Sequence, residues 1–216
     1  SSKPCPIPGD PPVDCSLCER LVSFRQQNQA KHKEWFNGAV PSFGDPNARL
    51  VIVGLAPGLK GANRTGRPFT GDFAGDLLYS SLLKFGFAKG DYSASSDDSL
   101  TLVNCLITNA VRCVPPENKP RGIETQTCRQ FLEPILFKSP KATAILTLGR
   151  VAHDSTVRAL GMRIRDVPFR HGARHDIEGG SRLYDSYHCS RYNTNTGRLT
   201  TEMFHDVLRA IRDDLP

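Results

Sequence analysis

Gly54-Leu55-Ala56-Pro57-Gly58, running on through Asn63-Arg64-Thr65-Gly66-Arg67-Pro68-Phe69-Thr70-Gly71-Asp72, is the stretch on which the fold turns. It follows a short apolar run, Leu50-Val51-Ile52-Val53, which reads as a buried parallel strand bounded by turn residues. Behind it comes an amphipathic helix that places Leu77, Leu78, Ser81, Leu82 and Phe85 on one face. In an open α/β sheet, the loop leaving the carboxyl end of a strand is where ligands bind. This loop is rich in glycine, so backbone can approach a ligand closely. It also carries two arginines, an asparagine, one aromatic ring and one carboxylate, and reads as an active-site loop.

Working outward, the same strand-then-helix alternation recurs. A second buried strand is expected over residues 100–108, ending in Asn109-Ala110-Val111-Arg112-Cys113, and a stiff Pro-rich loop leads from it to a helix from about Glu124. A third strand, 142–148, turns at Gly149 into a helix carrying Val151, Val157 and Leu160. A fourth, 183–187, ends at His188 and opens a polar loop, and a closing helix has Met203, Phe204, Val207, Leu208 and Ile211 on its apolar face. On the amino side, Asp14 caps an expected helix from near Cys15 toward Trp35, 37–49 reads as loop, and 163–180 is basic and irregular. Strands alternating with helices predict an α/β fold, a three-layer αβα sandwich around a four-stranded parallel sheet. The boundaries are an extended surface tail at 1–13 and one domain over 14–216.

The totals fit that reading. A chain of 216 residues with 38% hydrophobic and 23% charged residues can bury a core as one domain. No apolar run approaches the ~20 residues of a membrane span, and the amino-terminal residues lack an apolar signal, so a cytoplasmic protein is expected. Net charge is +6, the isoelectric point is near 9.0, and arginine outnumbers lysine about two to one. Arginine forks suit phosphate, so nucleic acid is the natural anionic partner, although a solvated basic surface has the same totals.

Seven cysteines in a reducing compartment favour metal or cluster ligation over disulfides. Cys15 and Cys18 form a C-x2-C pair, and Cys113 and Cys128 lie far along the chain. Four thiolates supplied as a pair and two singles can fill a tetrahedral zinc site or the corners of a [4Fe–4S] cluster. Cys105, inside a strand, and Cys189 read as small packing residues, and Cys5 is a spare. His188 and Asn109 both end strands on the same edge of the sheet, where an amide can read the polar edge of a base. Phe69, between Pro68 and Thr70, supplies an aromatic face. Three neighbouring loops with one ring and several polar groups describe a pocket for a flipped nucleobase.

These residues carry a resemblance. The stretch Gly54–Gly58 with Asn63–Asp72 resembles motif A of the uracil-DNA glycosylase superfamily, in the form of its type-B branch (family 5). His188-Cys189-Ser190-Arg191-Tyr192-Asn193-Thr194-Asn195-Thr196-Gly197-Arg198 resembles the branch's motif B, and Cys15, Cys18, Cys113 and Cys128 match its [4Fe–4S] ligand pattern. The resemblance implies a three-layer αβα fold, hydrolysis of the N-glycosidic bond of uracil in DNA, an abasic-site product, and tolerance of hypoxanthine and xanthine. Relatives outside the branch carry a polar residue early in motif A, where this chain has Leu55 and Ala56. That shifts attention to Asp72. Many relatives also have proline where this chain has Cys189.

The roles that follow are expectations. His188 stabilises the anion developing at the base's O2 as a neutral donor, and Asp72 faces the sugar to stabilise its cation or orient water. Asn193 holds the loop or the water. Gly54, Ala56, Phe69 and Asn109 form the base pocket, with Phe69 stacking and Asn109 reading the edge. Arg64, Arg67, Arg191 and Arg198 hold phosphates, and Tyr192 fills the gap left by the flipped base. The expected partner is DNA carrying deaminated bases, the expected cofactor a [4Fe–4S] cluster with zinc as runner-up, and the expected state a monomer. Two other classes compete: a non-catalytic Fe–S or zinc protein that binds nucleic acid, and a hydrolase of free nucleosides.

Overall fold

The computed structural model describes residues 7–138 and 142–215, apart from the Lys138 side chain, so Cys5 lies outside the described residues. In chain order the elements are α1 (Glu19–Lys31), β1 (Phe43–Gly44), β2 (Leu50–Gly54), α2 (Ala62–Thr65), α3 (Phe73–Lys84), β3 (Ala88–Lys89), β4 (Thr101–Leu102) and β5 (Cys105–Asn109). Then come α4 (Gly122–Lys138), β6 (Ala144–Leu148), α5 (Arg150–Ala159), β7 (Arg174–Asp176), β8 (Arg182–Ser186), α6 (Arg191–Asn195) and α7 (Thr201–Asp214).

The main sheet has the order β1-β5-β2-β6-β8-β7, and β3 pairs with β4 in a separate ribbon. Its four central strands, β5-β2-β6-β8, are parallel, as expected from their apolar runs. What the sequence does not reveal is an antiparallel strand on each edge, β1 against β5 and β7 against β8. These edges are two and three residues long, too short for any periodicity to show.

Alternate residues of the central strands point to opposite layers. Leu50 and Ile52 pack with Leu78 and Leu82 of α3 and Phe204, Leu208 and Ile211 of α7. Val51 and Val53 pack with Leu132 and Ile135 of α4 and Ala152 and Val157 of α5. The three-layer αβα sandwich follows. Every residue of β2, β5 and β6 is buried, as a parallel sheet covered on both faces requires.

Three boundaries differ from expectation. The second strand breaks at Asn104, which has φ 53° and whose side-chain oxygen accepts from the Arg49 N–H at 2.8 Å. Asparagine tolerates that left-handed turn, so Thr101–Leu102 leaves to pair with β3. The first helix starts at Glu19 rather than near Cys15, and Asp14 does not cap it. The tail at 1–13 is tied down along its second half, because the Asp10 side chain is buried. Its carboxylate accepts from Arg112 at 2.6 Å, from the Ser42 hydroxyl at 2.7 Å and from the Ile7 and Ser42 N–H groups. A paired, hydrogen-bonded carboxylate can be buried; an unpaired one cannot.

All four parallel strands end on one edge. After β5 the chain returns across β2 to form β6, so the loops leaving β2 and β6 diverge to the α3 and α5 layers. A crevice opens at such a reversal of strand order.

Candidate active site

The crevice is a cleft of about 730 Å³ lined by Leu55, Ala56, Lys60, Phe69, Asp72, Asn118, His188 and Arg191, among others. The loop after β2 is braced from below. Arg67 donates to Asp98 through both guanidinium nitrogens at 2.7 and 2.9 Å and to Thr70 at 2.7 Å. The Tyr79 hydroxyl donates to the Pro68 carbonyl at 2.5 Å and Tyr92 to the Phe69 carbonyl at 3.4 Å. These bonds hold Phe69 at φ 53°, a conformation costly for a bulky residue unless its surroundings impose it. The reward is position. The ring lies against the end of β2, where a Cβ on Gly54 would strike both it and the Asn109 side-chain oxygen. Gly75 is likewise required, because a Cβ there would meet the Phe69 carbonyl.

Phe69 and His188 lie side by side, with ring centres 5.8 Å apart and planes tilted by 31°. Burial alone pushes the His188 imidazole down to about 4, so the ring is neutral at pH 7. Asn109, 3% exposed, keeps its side-chain oxygen buried without a hydrogen-bond partner among the described residues. Such an orphan is rare and costs about 1–3 kcal/mol, so it calls for an explanation. Asp72 sits one residue before α3, with its carboxylate against Gly58 and Gly61, where a Cβ would collide with it. Its Oδ1 is also buried and unpartnered. Burial pushes its carboxyl up, Asp76 adds to the shift, and the Gly75 and Ala74 N–H groups offset only part of it.

The structure thus brings Ala56, Phe69, Asp72 and His188 onto the cleft wall, with Gly54 and Asn109 behind the Phe69 ring, but not every expected residue joins them. Asn193 does not line the cleft: its amide donates to the His188 carbonyl at 2.9 Å, while its own N–H bonds to Ser190 Oγ at 3.3 Å. It braces the loop that carries His188. Arg67 does not reach the surface at all. It is 5% exposed, committed to Asp98, and packed near the Phe43, Tyr79 and Tyr92 rings. The expectation that it holds phosphate is therefore corrected. Arg64, Arg191 and Arg198 are exposed. Arg64 bridges the carbonyls of Lys60 and Gly71, Arg191 lies 5.2 Å over Phe73, and Arg198 lies 4.9 Å over Tyr187. Tyr192 is 72% exposed beside them. Sequence reasoning missed Lys60 and Asn118 on the cleft wall. The signal for Asn118 is its place in the Pro-rich loop, where Glu117 and Asn118 are consecutive left-handed residues at φ 55° and 57°.

A second assembly lies behind Ala56. Cys15, Cys18, Cys113 and Cys128 line one small apolar cavity of about 20 Å³ with Leu21, Val111 and Phe131. Ala56 packs against the same cluster. Arg25 donates to Cys113 Sγ at 3.2 Å and to the Cys15 carbonyl at 2.9 Å, and Arg20 ties α1 to α4 through both oxygens of Glu124. Among the described residues, no group of three or more histidine, cysteine or carboxylate side chains is arranged so that it could hold a metal ion. Cys105 and Cys189 are fully buried in the core, as expected for packing residues. Among the described residues no helix is long and apolar enough to cross a membrane.

Fold and cleft together define a three-layer α/β protein whose site, at the carboxyl ends of parallel strands, suits a planar ring. The chain belongs to the uracil DNA glycosylase superfamily, whose family model matches residues 41–212. It is 46% identical over 200 residues to the type-5 uracil-DNA glycosylase of Thermus thermophilus, covering 90% of each chain. The type-5 enzyme of Pyrobaculum aerophilum is 39% identical over 206 residues (94% of this chain and 89% of the relative). That of Mycobacterium leprae is 39% identical over 203 residues (90% and 89%).

Proposed function

We infer that this chain is a DNA-repair glycosylase that hydrolyses the N-glycosidic bond of uracil in DNA and leaves an abasic site. Family membership and the type-5 relatives support the reaction class. One observation carries the site: an unpartnered Asn109 side-chain oxygen behind Phe69, with a neutral His188 beside that ring and an Asp72 carboxylate on the same cleft that keeps one oxygen unpartnered.

Breaking the glycosidic bond moves an electron pair onto the base and leaves positive charge on the sugar. Water then adds to the sugar carbon, and the proton it gives up ends on the departed base. His188, neutral, donates a hydrogen bond to the carbonyl oxygen where the base's negative charge gathers. Asp72, held without a compensating cation, gains most when the sugar becomes cationic. A preorganised group of this kind is worth on the order of 3–4 kcal/mol. Phe69 stacks on the flipped base and Asn109 satisfies its amide on the base edge. Asn118 adds a polar group for the attacking water, and Arg64, Arg191 and Arg198, joined by Lys60, track phosphates. Tyr192 enters the gap left in the duplex.

Leu55 and Ala56 place no polar side chain on the base, and the cleft is roomy for a pyrimidine. That supports excision of hypoxanthine and xanthine as well. The donor chemistry of the four cysteines supports a [4Fe–4S] cluster, with zinc as runner-up: all four line one cavity and Arg25 already donates to one sulfur, although the side chains do not stand at metal-holding geometry here. When bound, the group would act as a structural tie between α1 and the segment after β5, and its binding energy would become folding energy.

The test is alkali cleavage of abasic products from oligonucleotides carrying uracil, hypoxanthine or xanthine. Full activity in both His188→Ala and Asp72→Ala would sink the assigned roles. A colourless protein with stoichiometric zinc would reject the cluster, and activity insensitive to salt would point to a free nucleoside as substrate.

A further inference from the structure

The backbone that carries His188 is held by a side chain that neither the fold nor the cleft explains. The last paired residue of β8 is Ser186, aligned with Leu148, and its carbonyl accepts from the Gly149 N–H at 2.8 Å. The next N–H, that of Tyr187, has no strand partner. It donates instead to Nδ1 of His171 at 3.1 Å. The His171 ring stacks on the Tyr187 ring, with centres 4.9 Å apart and planes at 21°, and Arg198 lies over that same Tyr187 ring. The residue after Tyr187 is His188.

An acceptor at Nδ1 requires a lone pair there, so His171 is the neutral tautomer protonated at Nε2. Burial keeps it below the ordinary histidine range, against the opposing pull of the Met203 backbone, Asp185 and Asp206.

The loop that presents this ring is itself fixed to β8. Asp185 exchanges backbone bonds with Gly172 and Ala173 at 2.8 and 3.1 Å, and its carboxylate accepts from the Arg170 N–H at 3.4 Å. The same carboxylate accepts from Thr147 at 2.9 Å and from His153 at 2.6 Å. His153 uses its other nitrogen on the Val167 carbonyl at 2.7 Å. Both of its partners offer oxygen acceptors, an arrangement that favours a proton on each ring nitrogen. Burial opposes that charge; Asp185 and Val167 prevail and raise its pKa.

We propose that His171 is a positioning residue: anchored through the Asp185–His153 pair, its Nδ1 takes the Tyr187 N–H where the sheet ends and so sets where His188 projects into the cleft. The inference rests on the glycosylase reading, because it gives His188 a transition state to meet. A shift of about 1 Å in a reacting group costs about a hundredfold in rate. No part of His171 lines the cleft, so its effect falls on the chemical step and not on DNA binding.

The experiment compares three full-length proteins in single-turnover excision and in binding to a uracil-containing oligonucleotide. His171→Phe keeps a stacking ring and removes the acceptor; His171→Asn places an amide oxygen near the Nδ1 position. The expected result is a His171→Phe rate lower by about ten- to a hundredfold with unchanged Kd, and recovery of most of the loss in His171→Asn. Wild-type rate in His171→Phe, equal loss in both variants, or loss appearing as weaker Kd would each overturn the proposal. A wild-type protein that excises nothing would instead overturn the glycosylase reading. Nitrogen NMR of the wild-type histidines decides the hydrogen bond whether or not the variants fold. An unprotonated Nδ1 on His171 at pH 7 supports it, and a protonated one rejects it.

Discussion

Two carboxylates, the fully buried Asp185 and the partly buried Asp72, stand close to the carboxyl edge of the sheet and are treated in opposite ways. Asp185 is fully buried, and its oxygens receive Thr147, His153, His175 and the Arg170 N–H. Its charge faces His153, whose pKa it raises, and its lone pairs are filled. Asp72 has two backbone N–H groups near it and one oxygen with no partner, and burial raises its pKa. A saturated carboxylate holds elements together, whereas a bare one is a held-back interaction that strengthens when a cation forms beside it. The same contrast separates Arg67, locked on Asp98, from Arg191, exposed on the cleft wall.

The comparison breaks first if the saturated side proves dispensable. Asp185→Ala removes the acceptor that Thr147 and His153 share and the charge that offsets the burial of His153, so stability in urea should fall by about 3–5 kcal/mol. A melt like that of the wild type would refute it. On the bare side the effect moves from stability to rate. His188→Ala and Asp72→Asn should each slow uracil excision by about 10²–10³-fold, read in single turnover. The melting temperature of Asp72→Asn should stay level or rise.

Protonation sharpens the point. The folded pKa of Asp72 lies above its unfolded value, so its ionisation weakens the fold as pH rises through that raised pKa, and Asp72→Asn abolishes this slope. Excision needs the ionised form, so the wild-type rate should fall on acidification through the same pKa. His188 runs the other way: its pKa of about 4 lies below the unfolded value. Stability is therefore lost as pH falls from about 6.5 toward 4, a loss missing in His188→Ala and visible in melts across that window. The smallest effect belongs to the arginines. Arg64→Ala and Arg191→Ala should each reduce the salt slope of DNA binding by about one, and Arg67→Ala should leave it unchanged.

Much of this was legible in the chain because buried parallel strands write themselves as unbroken apolar runs. Leu50–Val53 and Ile145–Leu148 admit few other readings, and together with the strands expected over 100–108 and 183–187, separated by helices, they define the parallel core and the edge on which its loops gather. The glycines and Phe69 of the loop after β2 were equally visible, since close backbone approach and a lone ring in a turn have few structural uses. Arg67 was not: its motif companion Arg64 is exposed, and only Asp98, 31 residues away, removes Arg67 from the DNA track. Asn193 was half legible, as a loop brace but not as a group excluded from the cleft. Asp10 and the docked segment around it depend on Arg112, 102 residues on, a distance no local pattern spans.

The sequence by itself determined the layers, the parallel core and the cleft-forming loop, because periodicity and glycine placement are local properties. Only the tertiary structure decided which charged and polar groups are satisfied. Hydrogen-bond satisfaction is settled by partners far apart in the chain, and that makes Asp185 a strut, Asp72 a poised charge and His171 the hand that holds His188.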